Sequence, residues 1–368
     1  MKIDDKTSHN SPSIRFPEFT GEWERCVLGD VLEFSNTRIN SSELNSGNYV
    51  STENILQNFQ GIVKARSIPE DTNVMAFSCG NILLSNIRPY LKKVWKATFN
   101  GGCSSDVFVL QANSNIDADY LHYVVANDKF IGFVMNGAKG VKMPRGDKNQ
   151  MKTYSLSLPS IKEQRKISRF LSFLDERIAV QNRLIDRLQS LMIGIAQKIA
   201  HSNKPNVRIS DCLECSSSAL QESEVNKTGK YPVYGANGIV GYIDKYHTQN
   251  EAIYIIKDGS GVGGVSYVTG KCSSTGTLNI LQAKNGHSLK YLYYLLKVFN
   301  FVPYKTGMAI PHIYFKDYGK AKIFCPAYPE QLEYAKLLSS IDGNLRIALD
   351  SLKNFNLQKQ YLLRHMLI

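Results

Sequence analysis

The fold is decided by the sequence of residues 159–203, which reads PSIKEQRKISRFLSFLDERIAVQNRLIDRLQSLMIGIAQKIAHSN. Apolar residues recur in alternating steps of four and three, the heptad pattern of a helix with a coiled-coil seam. The seam positions are Ile167, Leu171, Leu174, Ile178, Gln181, Ile185, Leu188, Met192, Ile195 and Ile199. Pro159 precedes the pattern, where proline is tolerated. We predict one helix of about 40 residues, or ~60 Å.

The same pattern returns behind Pro326, at an offset of 167 residues from Pro159. Its seam positions are Tyr334, Leu338, Ile341, Leu345, Ala348, Leu352, Phe355, Lys359, Leu362 and Met366. Two apolar seams in one chain favour an intramolecular antiparallel pair, although helices of a partner subunit could cover them instead or as well. Gln181 either fixes the register of the pair or lies at a solvated edge, and we favour the edge.

The residues in front of each helix are repeated too. Leu28–Ser35 (LGDVLEFS) returns as Ile209–Ser216 (ISDCLECS), and Cys103–Ser105 returns as Cys272–Ser274. The offset falls from 181 at the start of the copies to 167 at their prolines, so the first globular part is about fourteen residues longer. The chain therefore contains two copies of one plan, a globular unit followed by a long helix.

Each globular unit is predicted to mix strands and helices. Short β-type runs separated by glycine, asparagine and serine include residues 81–85 and 252–256. Short helices are predicted at 28–35, 117–127, 209–216 and 289–299. The fold class is α+β, with two repeated α/β globular domains separated by two long antiparallel coiled-coil helices. The predicted boundaries are a tail at 1–20, globular domains at 21–158 and 204–325, and spacer helices at 159–203 and 326–368.

The composition favours a polyanionic partner. Lysine plus arginine number 44 against 32 acidic residues, a formal net charge of +12 with a pI near 9.2. Such an excess is typical of proteins that neutralise phosphates, although a basic protein without a nucleic-acid partner is the alternative. The polar N-terminus has no signal-peptide pattern, no stretch reaches ~18 apolar residues, and the seven cysteines are scattered. We expect a cytoplasmic protein with reduced thiols and no membrane contact.

Several catalytic signatures are missing from the sequence. No proline is followed by another, which excludes the Pro-Pro-aromatic motif of DNA amino-methyltransferases, and no phosphate-binding P-loop is present. The only acidic-x-Lys element of the kind nucleases use is Asp4-Asp5-Lys6. The glycine-rich segment 258–264 precedes a strand-like run rather than a helix, so we interpret it as a tight turn or a loop touching DNA backbone through Gly259 and Ser260.

Cys212 and Cys215 form half of a zinc signature, but no second pair or histidine cluster completes it. The first copy has Val31 and Phe34 at these positions. We therefore predict that both cysteines fill apolar positions and that the chain binds no metal.

Two basic loops, one in each copy, are the best candidates for a binding surface. Gly140 and Pro144 in the first loop match Gly307 and Pro311 in the second, so each is a shaped loop rather than a helix face. The DNA-contact candidates are Lys139, Lys142, Arg145 and Lys148 in the first copy, and Lys305, His312 and Lys316 in the second. Such cations could pair with phosphates or read guanine, although a solvated charged loop is the plain alternative. For His312 the default interpretation is an ordinary surface residue.

A second basic strip runs from Arg88 to Lys96 and interleaves aromatic residues with cations. Its candidates for DNA-backbone contact are Arg88, Lys92 and Lys93. Trp95 in the same strip either joins that surface or belongs to the core.

The order of these features resembles the specificity subunit of type I restriction–modification enzymes over nearly the whole chain. The residues that carry the resemblance are Gly21–Glu24 with Leu28–Asp30, Ile82–Tyr90, Leu156–Pro159 leading to Glu163 and Gln164, and Pro326 with Glu330 and Gln331. The resemblance implies that each globular unit is a target-recognition domain for one half of a split site in double-stranded DNA. The helices would space the halves and dock two modification subunits.

Further implications of the resemblance concern chemistry and place. The modification subunits would bring S-adenosylmethionine and methylate adenine, and restriction subunits would add ATP- and Mg-dependent translocation and cleavage. This chain would hold no cofactor and no catalytic residue, and it would work in the bacterial cytoplasm at the nucleoid. The alternatives are a DNA reader of another multisubunit methylation or phage-defence system, a two-domain structural adaptor, and a standalone enzyme, against which the missing motifs weigh.

Overall fold

The computed structural model describes residues 11–367, so Asp4-Asp5-Lys6 lies outside the described residues. The chain divides into two compact units, a first one of Met1–Ala179 with Lys353–Ile368 and a second one of Val180–Leu352. Part of the predicted tail belongs to the first unit, because the Arg15 guanidinium donates two hydrogen bonds to the buried Glu163 carboxylate (2.7 and 2.8 Å). Within residues 11–367, no helix is long and apolar enough to cross a membrane.

The first unit contains two four-stranded sheets and an antiparallel strand pair. Its strands are β1 (Glu24–Val27), β2 (Leu32–Phe34), β3 (Arg38–Asn40), β4 (Tyr49–Val50), β5 (Asn73–Phe77), β6 (Ile82–Ser85), β7 (Val94–Lys96), β8 (Gly101–Cys103), β9 (Val107–Ala112) and β10 (Ser155–Leu158). Its helices are α1 (Leu28–Val31), α2 (Ala118–Val125), α3 (Asp128–Asn136), α4 (Lys148–Lys152) and the first half of α5 (Ile161–Ala200). The sheet orders are β2-β9-β6-β7 and β3-β5-β8-β4, and β1 pairs with β10.

The second unit repeats part of this topology. Its strands are β11 (Val207–Arg208), β12 (Leu213–Ser217), β13 (Tyr231–Gly235), β14 (Gly238–Ile243), β15 (Glu251–Ile256), β16 (Val265–Thr269), β17 (Ser273–Ser274), β18 (Leu278–Ala283) and β19 (Lys322–Ile323). Its helices are α6 (Ile209–Cys212), α7 (Leu289–Val298), α8 (Phe315–Tyr318) and most of α9 (Tyr328–Met366). The sheet β12-β18-β15-β16 has the order of β2-β9-β6-β7, whereas the other sheet has three strands, β14-β13-β17.

The predicted mixed fold is confirmed, with one correction to its short elements. Helices near 117–127 and 289–299 and strands near 81–85 and 252–256 are present. The predicted helices at 28–35 and 209–216 are wrong in their second halves, because α1 and α6 last a single turn and then become strands. The alternating burial of Leu32, Glu33 and Phe34 fits a strand, and β2 pairs with β9 there.

The two long helices are confirmed, at 40 and 39 residues, and each begins two residues after its proline. In the first unit the start of α5 shares a core with the end of α9, whereas in the second unit the end of α5 meets the start of α9. The pair is therefore antiparallel. The core residues of the pair in the first unit are Ile167, Leu171, Leu174, Leu362 and Met366, and those in the second are Ile185, Met192, Ile199, Leu338, Ile341, Leu345 and Ala348.

The other predicted seam residues apart from Gln181 are half-buried: Ile178, Leu188, Ile195, Tyr334, Leu352, Phe355 and Lys359. Gln181 corrects an expectation. Its Nε2 donates to the Ala348 carbonyl across the helix pair (2.9 Å), so it contacts the partner helix instead of lying at a solvated edge. Because an amide bonded to a backbone carbonyl tolerates little sliding, Gln181 is a register contact.

A buried glutamine joins each long helix to its globular part. The Gln164 Oε1 accepts from the Asp117 backbone N–H (2.8 Å), and its Nε2 donates to the Pro159 carbonyl (2.9 Å). The second copy repeats the arrangement, since Gln331 accepts from the Ser288 N–H (2.9 Å) and donates to the Pro326 carbonyl (2.8 Å). Both glutamines are 1% exposed. The glutamine that follows each proline thus fixes the start of the short helix, α2 or α7, against the start of the long one.

Candidate nucleic-acid interface

Two short loops, one per unit, have the same backbone closure. The first loop is Lys139–Arg145, closed by mutual backbone hydrogen bonds between its end residues (3.0 and 2.9 Å). The second loop is Thr306–His312, closed in the same way (2.9 and 2.7 Å). Gly140 and Gly307 follow the first residue of each loop with φ of +97° and +85°, which favours glycine. A Cβ on Gly307 would lie 2.3 Å from the Ile310 carbonyl oxygen, so no side chain fits there.

Both loops are attached to the same place on the repeated sheet. In the first unit the segment after β6 holds the loop, because Arg88 N–H donates to the Pro144 carbonyl (2.8 Å). In the second unit the segment after β15 does so, because Gly259 N–H donates to the Pro311 carbonyl (3.0 Å). A second backbone hydrogen bond follows each loop. The Gly146 N–H donates to the Asn86 carbonyl (3.1 Å), and the Ile313 N–H donates to the Lys257 carbonyl (2.9 Å). The two loops are therefore structurally equivalent, and each is fixed to a buried strand.

The tips of both loops expose aliphatic side chains that the sequence analysis did not single out. Val141 is 100% and Met143 50% exposed, and the matching Met308 and Ile310 are 106% and 58% exposed. Exposed apolar groups on a fixed backbone are candidates for contact with a partner, and aliphatic contact with thymine methyl groups is one way to read a base. The sequence does contain a signal for these tips, since apolar residues stand at matching positions between the glycine and the proline of each loop.

The cations of the first loop differ in their partners. Lys139 Nζ pairs with Asp147 Oδ2 (3.0 Å), and Arg145 Nη1 pairs with Asp106 Oδ1 (2.7 Å). The hydrogen bond from Lys139, together with backbone N–H donors, lowers the pKa of Asp147. Lys142 is exposed at the tip. Solvent screens exposed ion pairs of this kind and leaves them weak, so a phosphate can replace either carboxylate.

Lys148 lies outside the loop proper, in the first turn of α4. Its ammonium stands 5.5 Å from the Phe34 ring centroid and 5.2 Å from that of Phe108. The two rings attract the cation through their negative faces. Lys148 is thus held half-buried beside the loop, and Lys152 ends the same helix.

In the second copy His312 occupies the position of Arg145. Its Nδ1 lies 2.7 Å from Asp258 Oδ1, and its ring stacks on Tyr314 at a centroid distance of 6.5 Å. His312 is half-buried and binds a carboxylate, and the exposed Arg145 also binds one, so the two residues share a kind of partner that the sequence did not reveal. Contact of His312 with DNA stays a prediction. Lys305 and Lys316 are exposed on either side, with Lys316 5.3 Å from the Tyr314 ring centroid.

The glycine-rich segment is a turn, as predicted. It connects the antiparallel strands β15 and β16, and Ser260 is exposed in it. Gly259 has φ of +96°, and the equivalent residue of the first copy is Arg88, with φ of +51°. A residue with a side chain in this left-handed region costs ~1 kcal/mol or more, and such strain is a pointer to function. Arg88 is exposed beside the first loop, so it joins the candidate surface.

The other two cations of the basic strip, Lys92 and Lys93, have partners within the protein. Lys92 pairs with Asp128 (2.7 Å), and the Lys93 ammonium donates to the Thr52 carbonyl. Burial lowers the pKa of Lys93. Trp95 is 9% exposed and packs on Phe77, which settles it as a core residue. Contact of Lys92 and Lys93 with DNA stays a prediction that requires exchange of these partners.

The two cysteines of the half zinc signature lie in different surroundings. Cys215 is half-buried and packs against the core of the second unit. Cys212 is buried beside Cys325, and the hydrogen bond of its thiol lowers the pKa of Cys325 below the usual range of a cysteine. His287 lies next to the same sulfur.

The globular parts with their loops correspond to a known domain. The family model for the type I restriction modification DNA specificity domain matches residues 20–190 and matches again at 202–354. The chain belongs to this family. The two matches of the specificity domain follow the duplication seen in sequence and structure.

Relatives of this specificity-domain chain include the type I restriction enzyme EcoDI specificity subunit of Escherichia coli, 29% identical over 126 residues. That match covers 33% of this chain and 28% of the EcoDI subunit. Among solved structures, the S subunit of a type I restriction–modification system from M. genitalium aligns with a TM-score of 0.68 at 17% identity, covering 97% of this chain and 99% of that one. A structure determined for complex assembly and conformational transition of a type I R-M system aligns with a TM-score of 0.54 at 17% identity, covering 93% and 96%. These alignments show a shared fold.

Proposed function

We propose that this chain is the non-catalytic DNA-sequence-recognition subunit of a type I restriction–modification complex. The observation that carries the proposal is that both specificity domains present an equivalent loop, with an aliphatic tip and basic neighbours, held by the segment after the corresponding inner strand, β6 or β15. Each domain would read one half of a bipartite double-stranded target, with cations on phosphates and the tips in a groove.

The long helices support a role in docking partners. Beyond their seams they expose apolar side chains that a helix pair alone leaves in water. These are Phe170, Phe173, Val180, Leu184, Leu191 and Ile193 on α5, and Leu332, Leu337, Ile347, Leu349, Leu357 and Tyr361 on α9. Two modification subunits would cover them and supply S-adenosylmethionine for adenine methylation. Restriction subunits with ATP and Mg would join this assembly at the bacterial nucleoid in the cytoplasm.

The test of the proposal is adenine methylation mapped across the genome in cells with and without this chain. We expect one bipartite motif to lose methylation on deletion and to regain it when the gene is returned on a plasmid. The purified chain, freed of partner subunits, should neither methylate nor cleave DNA. An unchanged methylome, or methyl transfer by the chain alone, would contradict the proposal.

A variant of the first loop tests its role in DNA binding. Changing Lys142, Arg145 and Lys148 together to alanine should weaken DNA binding by the assembled complex and flatten its salt dependence. The slope of log K against log salt should fall by ~0.9 for each phosphate that no longer has a cation beside it. Fluorescence anisotropy over a salt series measures both quantities.

The matched control changes the apolar tip of the same loop, Val141→Ser with Met143→Ser. This variant removes no charge, so its salt slope should equal that of the parent while its preference for the target over random DNA falls. If the triple alanine variant keeps both its affinity and its slope, the basic residues are only solvated surface.

A further inference from the structure

A cluster of two cysteines and a histidine lies in the second unit. Cys212 ends α6, His287 precedes α7, and Cys325 follows β19. Their ligand atoms all lie within 4.8 Å of one another, and Cys325 Sγ is 3.5 Å from His287 Nδ1. Both cysteines are buried, and the histidine is half-buried. Three segments far apart in sequence thus bring soft ligands to one point.

The first copy supplies an internal comparison. The equivalent residues there are Val31, Ile116 and Leu158, all apolar. Val31 is fully buried and Ile116 is 4% exposed, so the position is ordinary core. A cysteine alone fits such a position, but an imidazole with two polar nitrogens does not. Replacement of all three members by cysteine, histidine and cysteine therefore needs a reason other than packing.

We propose that Cys212, His287 and Cys325 bind a thiophilic divalent metal ion of the zinc class. Zinc–sulfur and zinc–nitrogen bonds of ~2.3 and ~2.05 Å at a tetrahedral angle separate the two ligand atoms by ~3.6 Å, close to the spacing of Cys325 and His287. Water entering beside the half-buried histidine supplies the fourth ligand. This site departs from the sequence-based expectation that the chain binds no metal, because that expectation weighed Cys212 with Cys215.

The surroundings position Cys325 for this role. The Asn206 side chain holds the Cys325 backbone on both sides, accepting from its N–H (2.8 Å) and donating to its carbonyl (2.8 Å). Fixed orientation of a ligand by such outer contacts is typical of metal sites. Through Cys212, His287 and Cys325, the ion connects α6 and the segment ahead of α7 to the segment ahead of α9. It therefore stabilises the start of α9, which apolar packing stabilises in the first copy.

Titration of the full chain with Co²⁺, after reduction and removal of metal, tests the site. We expect one equivalent per chain, a thiolate-to-cobalt charge-transfer band and the strong visible bands of tetrahedral cobalt. The variant Cys212→Val, His287→Ile, Cys325→Leu installs the residues of the first copy and should lose all three signals. Cys215→Phe, which installs Phe34 of the first copy, and Cys79→Ser, at an exposed cysteine, should keep them.

A measurement on the unmodified chain protects the test against misfolding of the triple variant. Zn²⁺ should slow alkylation of Cys212 and Cys325, mapped by mass spectrometry, and leave exposed Cys79 as reactive as before. The proposal is overturned if the reduced chain binds no stoichiometric Co²⁺, if the folded triple variant binds it equally, or if Zn²⁺ protects neither cysteine. A Cys212–Cys325 disulfide together with no metal binding after reduction would identify a redox pair instead.

Discussion

Replacing Gln331 with methionine is expected to lower the free energy of unfolding by about 2–4 kcal/mol, because two buried backbone groups lose their partners. Gln331 is 1% exposed, accepts from the Ser288 N–H and donates to the Pro326 carbonyl. Methionine has nearly the volume of glutamine, so the change removes hydrogen bonds without opening a cavity. Because Ser288 is the N-cap of α7, losing these two hydrogen bonds weakens the attachment of α7 to the start of α9.

The control for this prediction is Gln358→Met, the same substitution at an exposed position of α9, which should change stability by no more than ~0.5 kcal/mol. Differential scanning calorimetry is the measurement, because the two compact units need not unfold together. Gln164→Met should have a similar effect on the first unit, through the Asp117 N–H and the Pro159 carbonyl. A Gln331→Met protein as stable as the parent would show that water satisfies both groups.

Lengthening the helix pair is expected to change the recognised DNA sequence, if the proposed function is correct. Each long helix contributes residues to both compact units. Under the proposed function, the helices would therefore set the separation of the half-sites. Four residues inserted after Arg187 in α5 and four after Arg346 in α9 add about one turn, or ~6 Å, to each helix. Met192 and Leu345 line one cavity in the second unit, so the insertions fall at a similar level of the pair.

The expected result is a gap between half-sites longer by about one or two base pairs, at ~3.4 Å each, with the bases of each half-site unchanged. Methylome sequencing of cells that carry the variant reads both properties at once. The control places the same four residues between Ser202 and Asn203, in the connection behind α5, and should leave the gap as it was. An unchanged gap with full activity would show that the helices do not set the distance between the half-sites. Altered bases within a half-site would show that recognition is not confined to the globular parts.

Periodic and repeated features could be predicted from the sequence because they need only neighbours along the chain. The heptads around Leu171 and Leu338 specify long helices whatever surrounds them. The matched glycine and proline of the two basic loops specify equivalent turns, since their backbone preferences are local. The same locality explains the error at Leu32, where pairing with β9 ends a helix that the sequence would have allowed to continue.

Partners across the fold were decided by tertiary structure alone. Several contacts depend on segments remote in sequence. Arg145 and His312 each bind a carboxylate, Gln181 contacts the facing helix, and Trp95 is buried in the core. Cys212 shows this most clearly, because its sequence neighbour Cys215 suggested a pairing, whereas folding places it with His287 and Cys325. The sequence by itself determined the duplicated architecture through its local periodicity. Only the folded chain determined which charged and sulfur-bearing groups meet, because burial and distance are properties of the packed molecule.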